Sequence, residues 1–384
     1  MVESRLKVWA RNPDRRRRGE LTVVEAAAVL RDTEVGTWSM TVDGDDVTAQ
    51  QFDEGWGVVV YETDELGESR FMFSGPAEVI DRELTQHGVD LVISGVTDDH
   101  GLADRLVLPS PAASAEQQTA AAYYSNKGIA EDLLAKLINE QAGPLARAEW
   151  RTPGLQLATS AGRGGNSSVH ARLTRLLDEV RTIALTSGLV VEVGQRGTGP
   201  DLTALIRGRV DRRRAVRFRP ELGLAKATAG IKAPTANVVL VAGGGEGTAR
   251  VIRQYAAPAT GWGGRKIAVL QDRRDTTDLV EIAKAGAETL AASAASAHAT
   301  FDVTETDDAL LGRDYLLGDT VTVDLGAWQL SEPVRTAEIR WDGDSRTVKL
   351  TVGDPRAENE ETTPAIYRDV RELSRAVHEL KARH

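Results

Sequence analysis

The residues of this 384-residue chain that most invite chemistry form a glycine cluster, Asn237-Val-Val-Leu-Val-Ala-Gly243-Gly-Gly-Glu246-Gly247. An apolar strand running into glycines is the local pattern of a dinucleotide turn, where backbone N–H groups at a helix start hold a pyrophosphate. The spacing does not fit that role. Counted from Gly243, the third glycine of G-x-G-x-x-G falls on Thr248, and counted from Gly245 it falls on Arg250. No second βαβ unit follows with an acidic residue at the right distance, and Gly-Lys-Ser/Thr occurs nowhere. The cluster reads instead as a tight crossing of backbones.

Other chemistries are equally poorly provided for. Cysteine is absent, which excludes disulfides, thiolate metal sites and thiol nucleophiles. His87, His100, His170, His298, His378 and His384 form no pair at metal-ligand spacing. Asp98-Asp99-His100 stands before Gly101 and reads as a solvated turn rather than a metal site. Asp43, Asp45 and Asp46 surround Gly44, where aspartate serves a turn. Neither a G-x-S-x-G elbow nor H-E-x-x-H is present. The run Arg15–Arg18 follows Asn12-Pro-Asp without interleaved aromatics, so it reads as a solvated hairpin tip rather than a nucleic-acid contact. No catalytic, cofactor or metal residue is assigned, and no cofactor is expected.

The elements that would position any site divide the chain. Its length suggests about two to four domains. No apolar run spans a bilayer and no signal-peptide pattern opens the chain, so membrane insertion is not expected and folding in a cytoplasm is. The net charge of −10 makes a poor general binder of nucleic acid but suits a passage along which DNA slides without sticking. Residues 1–105 read as short strands between Gly, Asp and Asn turns, a barrel or sandwich, with Trp9, Trp38 and Trp56 at core-like positions. A Pro-, Ala- and Ser-rich linker at 108–118 follows.

Two amphipathic helices come next. Ser125 or Asn126 would cap the first, which buries Ile129, Leu133, Leu134, Leu137 and Ile138. Ser167 or Ser168 would cap the second, which buries Val169, Leu173, Leu176, Leu177, Val180 and Ile183. Strands resume at 189 and again at 300. Between them a strand, the glycine cluster, a second strand over 266–272 and a helix over 276–295 form an α/β insertion. The longer stretch that opens at Asn237 runs on past this insertion and closes on Tyr315-Leu-Leu-Gly318-Asp319-Thr-Val321.

A faint ordered repeat runs through the β regions. Thr37-Trp-Ser-Met-Thr41 is similar to Thr300-Phe-Asp-Val-Thr304, and Ala77-Glu-Val-Ile80 to Ala337-Glu-Ile-Arg340; both copies then reach a glycine, Gly95 and Gly353. The organisation is therefore α+β and multidomain. It comprises a first β-barrel over 1–105, a small α/β domain over 106–187, a second β-barrel over 188–229 and 297–355, an α/β insertion over 230–296 and a C-terminal helix over 356–384. In that helix Ile366, Val370, Leu373, Val377 and Leu380 alternate spacings of four and three, a stripe for docking onto its own barrel or for pairing with copies of itself.

The order of these elements resembles the minor tail proteins that form the tail hub of siphoviruses infecting actinobacteria, related in architecture to the baseplate hub of contractile phages. The resemblance is carried by Leu6-Lys-Val-Trp9 with Gly55-Trp56, Gly128-Ile-Ala-Glu-Asp-Leu-Leu134, Arg172-Leu-Thr-Arg-Leu-Leu-Asp-Glu-Val180 ending at Gly188-Leu189, Asn237 to Gly244, and Tyr315 to Val321.

It implies a homotrimer whose subunits each contribute two tail-tube-like barrels. Six such modules form a pseudo-sixfold ring between a hexameric tail tube or distal tail protein and a threefold tip or receptor-binding protein. It also implies contact with a tape measure protein and passage of DNA through the channel without specific binding. The expected place is the virion tail tip, after assembly from the host cytoplasm. Only a short helix follows Gly353, which argues against a tail lysin, and the work is structural rather than enzymatic. The same hub could serve a cellular contractile injection system. Two other readings remain at this stage: a carbohydrate-binding tail adhesin, and a nucleotide-binding or hydrolytic enzyme using the α/β insertion.

Overall fold

The structure, a computed structural model, describes residues 5–63, 68–85, 88–221, 223–258, 261–274, 276–303, 309–326, 328–343 and 345–353. The described residues form two compact units, one within Met1–Thr228 and Ala299–Val352 and one within Ala229–His298. The candidate stripe Ile366, Val370, Leu373, Val377 and Leu380 lies outside the described residues. No helix among the described residues is long and apolar enough to cross a membrane.

The larger unit opens with strands β1 (Arg5–Arg11), β2 (Arg17–Leu21), β3 (Val23–Arg31) and β4 (Thr37–Asp43). The single-turn helix α1 (Val47–Gln50) then leads to β5 (Gly57–Thr63), β6 (Ser69–Thr85), β7 (Gly88–Val96) and a second single turn, α2 (His100–Ala103). Alternation sets the faces: β4 buries Trp38, Met40 and Val42 while Thr37, Ser39 and Asp43 face water. Asp46 starts α1 by accepting the Thr48 N–H at 2.7 Å. Of the three tryptophans placed in the core by sequence, only Trp38 is fully buried; Trp9 and Trp56 are half-buried.

An α/β subdomain follows, with β8 (Tyr124–Ile129), α3 (Ala130–Gln141), β9 (Leu155–Leu157), β10 (Asn166–Ala171), α4 (Leu176–Thr186), β11 (Leu189–Gly194) and β12 (Leu202–Gly208). Both helices begin later than their apolar spacing predicts. The capping candidates Ser125, Asn126, Ser167 and Ser168 lie in β8 and β10, which pair antiparallel from Asn166↔Ile129 to Ala171↔Tyr124. Each run pairs along its whole length with the other, so the backbone groups on that edge are satisfied without a helix. Leu173, expected on a buried helix face, is instead exposed at a φ of 54°.

β11 pairs with β12 and β12 with β9. Val191, Val193, Leu202, Ala204 and Ile206 share one core with α3 and α4. The boundary expected at 187 is therefore misplaced. The strands after it complete the sheet on which α4 packs and do not belong to a second barrel.

β13 (Arg217–Phe218) and β14 (Leu224–Lys232) follow, and then the smaller unit supplies β15 (Val238–Ala242), β16 (Ile252–Ala256), β17 (Ala268–Asp272) and α5 (Leu279–Ala292). Its three-stranded sheet, ordered β16-β15-β17, buries Val239 and Val241 against Ile282 and Ala285 of α5. The glycine cluster is filled by protein. A Cβ on Gly243 would stand 2.7 Å from Ile282 Cδ1 and 2.9 Å from the Thr276 carbonyl oxygen.

The chain ends its described course with β18 (Ser296–Val303), β19 (Thr320–Asp324), β20 (Gln329–Asp342) and β21 (Ser345–Gly353). The large sheet runs β14-β18-β21-β20-β3-β4-β7-β6-β5-β1-β2, with β19 beside β20 and β13 beside β19. This path is open, so among the described residues the fold is mostly β with few helices and no barrel closes.

The repeat is clearer in the pairing than in the letters. The order β3-β4-β7-β6-β5-β1 recurs as β14-β18-β21-β20-β19-β13, with one difference in direction: β1 runs antiparallel to β5, and β13 parallel to β19. In β6 the residue Pro76 ends the pairing with β5, and in β20 Pro333 ends the pairing with β19. The next pairs are Ala77↔Gly95 and Val334↔Val352, each followed by a bulge. The hairpins then match pair for pair to Leu84↔Val89 and Trp341↔Arg346, and close at Thr85↔Gly88 and Asp342↔Ser345. Ala77 thus corresponds to Val334 rather than to Ala337, and Gly95 to Val352 rather than to Gly353.

Candidate functional site: a buried charged junction

The stretch Tyr315–Val321 lies where the larger unit's three parts meet. Tyr315 packs edge-on against Phe218, with ring centroids 5.6 Å apart, inside the second β module. Gly318 takes a φ of 85°, a backbone shape that suits glycine, and this turns the Asp319 carboxylate inward. The Asp319 side chain is 1% exposed. It accepts Arg207 Nη1 at 3.1 Å, the Val210 N–H at 3.2 Å and the Leu316 N–H at 3.1 Å. Arg207, on β12, also donates to the Leu317 carbonyl.

Beside it Asp32, at the end of β3, is gripped by two guanidinium groups. Arg209 donates to both carboxylate oxygens at 2.7 and 3.0 Å, and Arg335 of β20 donates at 2.6 Å. Arg209 also donates to the Gly318 carbonyl at 3.0 Å. One carboxylate from the first β module thus ties an arginine of the α/β subdomain to an arginine of the second module. Planar bidentate pairing fixes orientation as well as distance.

Two further buried acids fasten the same parts. Asp98 accepts Arg11 Nη2 at 2.6 Å, Arg11 Nη1 at 2.9 Å and Ser74 Oγ at 2.5 Å, and Arg11 Nη1 reaches Gln195 Oε1 at 3.1 Å. Glu62 of β5 accepts Trp341 Nε1 at 3.1 Å and lies 3.1 Å from Arg346 Nε. The turn at Asp98 is thus buried rather than solvated, because Arg11 balances its charge.

The arginine run is solvated only in part: Arg16 and Arg18 are exposed, whereas Arg15 and Arg17 are half-buried. Arg15 Nε donates to Pro200 O at 2.9 Å and Arg17 Nη2 to Gly197 O at 2.8 Å, with the Arg17 guanidinium 5.2 Å from the Tyr61 ring centre. Carbonyl acceptors and an aromatic face supplied from far along the chain hold it down, which local spacing does not reveal.

A cavity of about 160 Å³ opens beside the junction, lined by Phe71, Met72, Asp99, Arg196, Arg207 and Leu316 among others. Burial pushes the half-buried Asp99 carboxyl up to about 7. Hydrogen bonds from the Val193 N–H at 2.8 Å and Thr97 Oγ1 at 2.9 Å pull the other way, and the charges of Glu192 and Asp98 add to the rise. His100 pairs with Asp104 instead.

Chemically, the junction spends its charges on one another. Among the described residues no group of three or more His, Cys, Asp or Glu could hold a metal. What the arrangement does is fix the geometry of two β modules and a subdomain. Sequence reasoning singled out Gly318-Asp319 and missed Asp32, Arg207, Arg209 and Arg335. Their only local signal is the placing of Arg207 and Arg209 at the end of an otherwise apolar strand.

No curated protein sequence matches the chain. Three solved structures share its fold over nearly its whole length. The 43 kDa tail protein of prophage MuSo2 from Shewanella oneidensis is 12% identical, with a TM-score of 0.57 over 92% of this chain and 99% of its own. The tail protein from Neisseria meningitidis MC58 is 14% identical, with 0.56 over 91% and 97%. Prophage tail protein gp18 from Listeria monocytogenes EGD-e is 9% identical, with 0.54 over 97% and 99%. At such identities the likeness concerns the fold, and the family follows from the sequence itself. Because residues 5–354 match it, the chain belongs to the family described as Siphovirus ReqiPepy6 Gp37-like protein.

Proposed function

We propose that this protein is the structural tail hub, or minor tail protein, of a siphophage. It joins a sixfold tail tube to a threefold tip and forms part of the channel for DNA. The observation that carries this reading is the doubled strand order, β3-β4-β7-β6-β5 and β14-β18-β21-β20-β19, which supports reading the two halves as tail-tube-like modules in one chain. Three copies then present six similar modules, which lets a trimer meet a hexamer without a mismatch. The charged junction holds the two modules at one fixed angle, as a ring of set diameter requires.

The partners are a tail tube or distal tail protein on one side and a tip or receptor-binding protein on the other. A tape measure protein and DNA share the lumen, and the net charge of −10 disfavours phosphate contacts along the way. The site of action is the virion tail tip, and no catalysis is assigned. Light scattering on the purified chain tests the reading, with a trimer as the expected mass. A chain ending at residue 355 then asks whether the stripe Ile366 to Leu380 contributes to assembly. A dimer or tetramer would remove the symmetry argument.

A further inference from the structure

The two modules of one chain meet through a strand pair whose counterpart between chains is left open. Inside the chain β3 lies against β20, from Thr336↔Arg31 to Asp342↔Glu25. In the repeat β20 corresponds to β6 and β3 to β14. Among the described residues β14 ends the sheet path, and β6 pairs only with β7 over Ala77–Thr85. The edge of β6 that matches the β3-bearing edge of β20 is therefore unpaired.

Burial at equivalent positions makes the same point. Trp341 is 2% exposed and the Arg346 side chain 3%, both covered by the first module through Glu62. Their counterparts Leu84 and Val89, the same cross-strand pair in the other hairpin, are 86% and 40% exposed. A leucine left bare at a position whose twin is buried, on a strand with a free edge, is a surface awaiting a neighbour. Charge agrees: on β6 the exposed acids Glu78, Asp81 and Glu83 outnumber Arg82, and exposed Lys226 stands on β14.

We propose that the free edge of β14, over Leu224–Thr228, pairs antiparallel with the free edge of β6 in a second copy of this chain. This pairing repeats between subunits the β3–β20 pairing found within each subunit, and it covers Leu84 and Val89. The contact is heterologous, joining two different surfaces of each copy, so it forms a ring where the rotation between copies closes, as three copies do in the hub reading. The number of copies, three, rests on the hub reading; the pairing itself rests on the strand order and the exposure pattern.

The absence of cysteine makes disulfide trapping clean. Full-length chains carrying Leu84→Cys together with Leu224→Cys, Lys226→Cys or Thr228→Cys are oxidised and resolved without reductant. The expected result is covalent trimers from at least one double variant and no cross-linking from any single variant. Dimers from Leu84→Cys alone would indicate a two-fold contact between β6 edges and overturn the proposal. A trimer by light scattering with no cross-link from any pair would overturn the pairing and leave the hub reading standing. Closed rings of another size would keep the pairing and sink the trimer. A chain that stays monomeric and unlinked overturns the pairing.

A second variant needs no disulfide. Leu84→Asp with Val89→Asp changes only exposed side chains, so the subunit keeps its circular dichroism spectrum and melting curve while the oligomer is lost. An oligomer that persists with both aspartates refutes the interface.

Discussion

Replacing Asp32 by alanine tests whether the junction holds the two β modules. The substitution removes the carboxylate that accepts three charge-assisted bonds, at 2.7, 3.0 and 2.6 Å, from Arg209 and Arg335. Arg209 is left 11% exposed with only the Gly318 carbonyl nearby, whereas Arg335, at 24%, can turn toward water. Stranding one buried guanidinium costs about 3–5 kcal/mol, a large share of the roughly 5–15 kcal/mol that holds a typical fold. Urea unfolding followed by tryptophan fluorescence reads this directly, since Trp38 and Trp341 are buried in the two β modules. Arg335→Ala is the milder companion, at about 1 kcal/mol. A triple variant, Asp32→Leu with Arg209→Met and Arg335→Leu, restores most of the loss, because an apolar replacement strands no charge. An Asp32→Ala shift below about 1 kcal/mol, the value for a surface pair, would refute the reasoning.

Four shorter predictions concern single sites. The Asp99 carboxyl is raised from 3.8 to about 7, so the folded chain holds a proton that the unfolded chain releases between those values. Stability therefore falls as pH rises from about 4 to 7 and is flat above, by at most about 4 kcal/mol at 1.36 kcal/mol per unit; Asp99→Asn flattens that slope in melts taken across this range. Gly318→Ala should cost at least about 2 kcal/mol, because a Cβ at a φ of 85° meets Val190 Cγ2 and Arg209 Nη1. Gly326→Ala, at a φ of 84° in open space, costs only the backbone part, and urea midpoints separate the two. Gly243→Ala should destabilise the smaller unit by about 1–3 kcal/mol through its clash with Ile282. Calorimetric titration of the intact protein with ATP or NAD should give no heat, and saturable binding there would refute the filled-cluster reading.

What could be read from the sequence was what depends on neighbours a few residues away. The alternation of Trp38, Met40 and Val42 and the helical spacing of Leu133, Leu134, Leu137 and Ile138 emerge as buried faces because period alone decides them. The helix starts failed for the opposite reason. Ser125 and Ser167 look like caps, yet what decides their structure is the pairing of two segments about forty residues apart, as in His170↔Ser125. The strands after 187 were misassigned on similar grounds, since β12 finds its partners in β9 and β11.

The junction is the extreme case of that limit. Asp32 and Arg335 are 303 positions apart, and Arg209 lies 177 from Asp32, so no window contains the pair. The repeat is more instructive, because the letters show it in a shifted register. Matching letters set Ala77 on Ala337, whereas the bulges and the flanking prolines set it on Val334. Selection in a duplicated β module acts on which residues face inward, where a bulge turns the strand and where a proline ends a ladder, and these survive when identities do not. The corrected register places bare Leu84 opposite its buried twin Trp341. Under the letter alignment Leu84 would fall three residues further along, between the end of β20 at Asp342 and the start of β21 at Ser345, and its exposure would look like an ordinary hairpin tip.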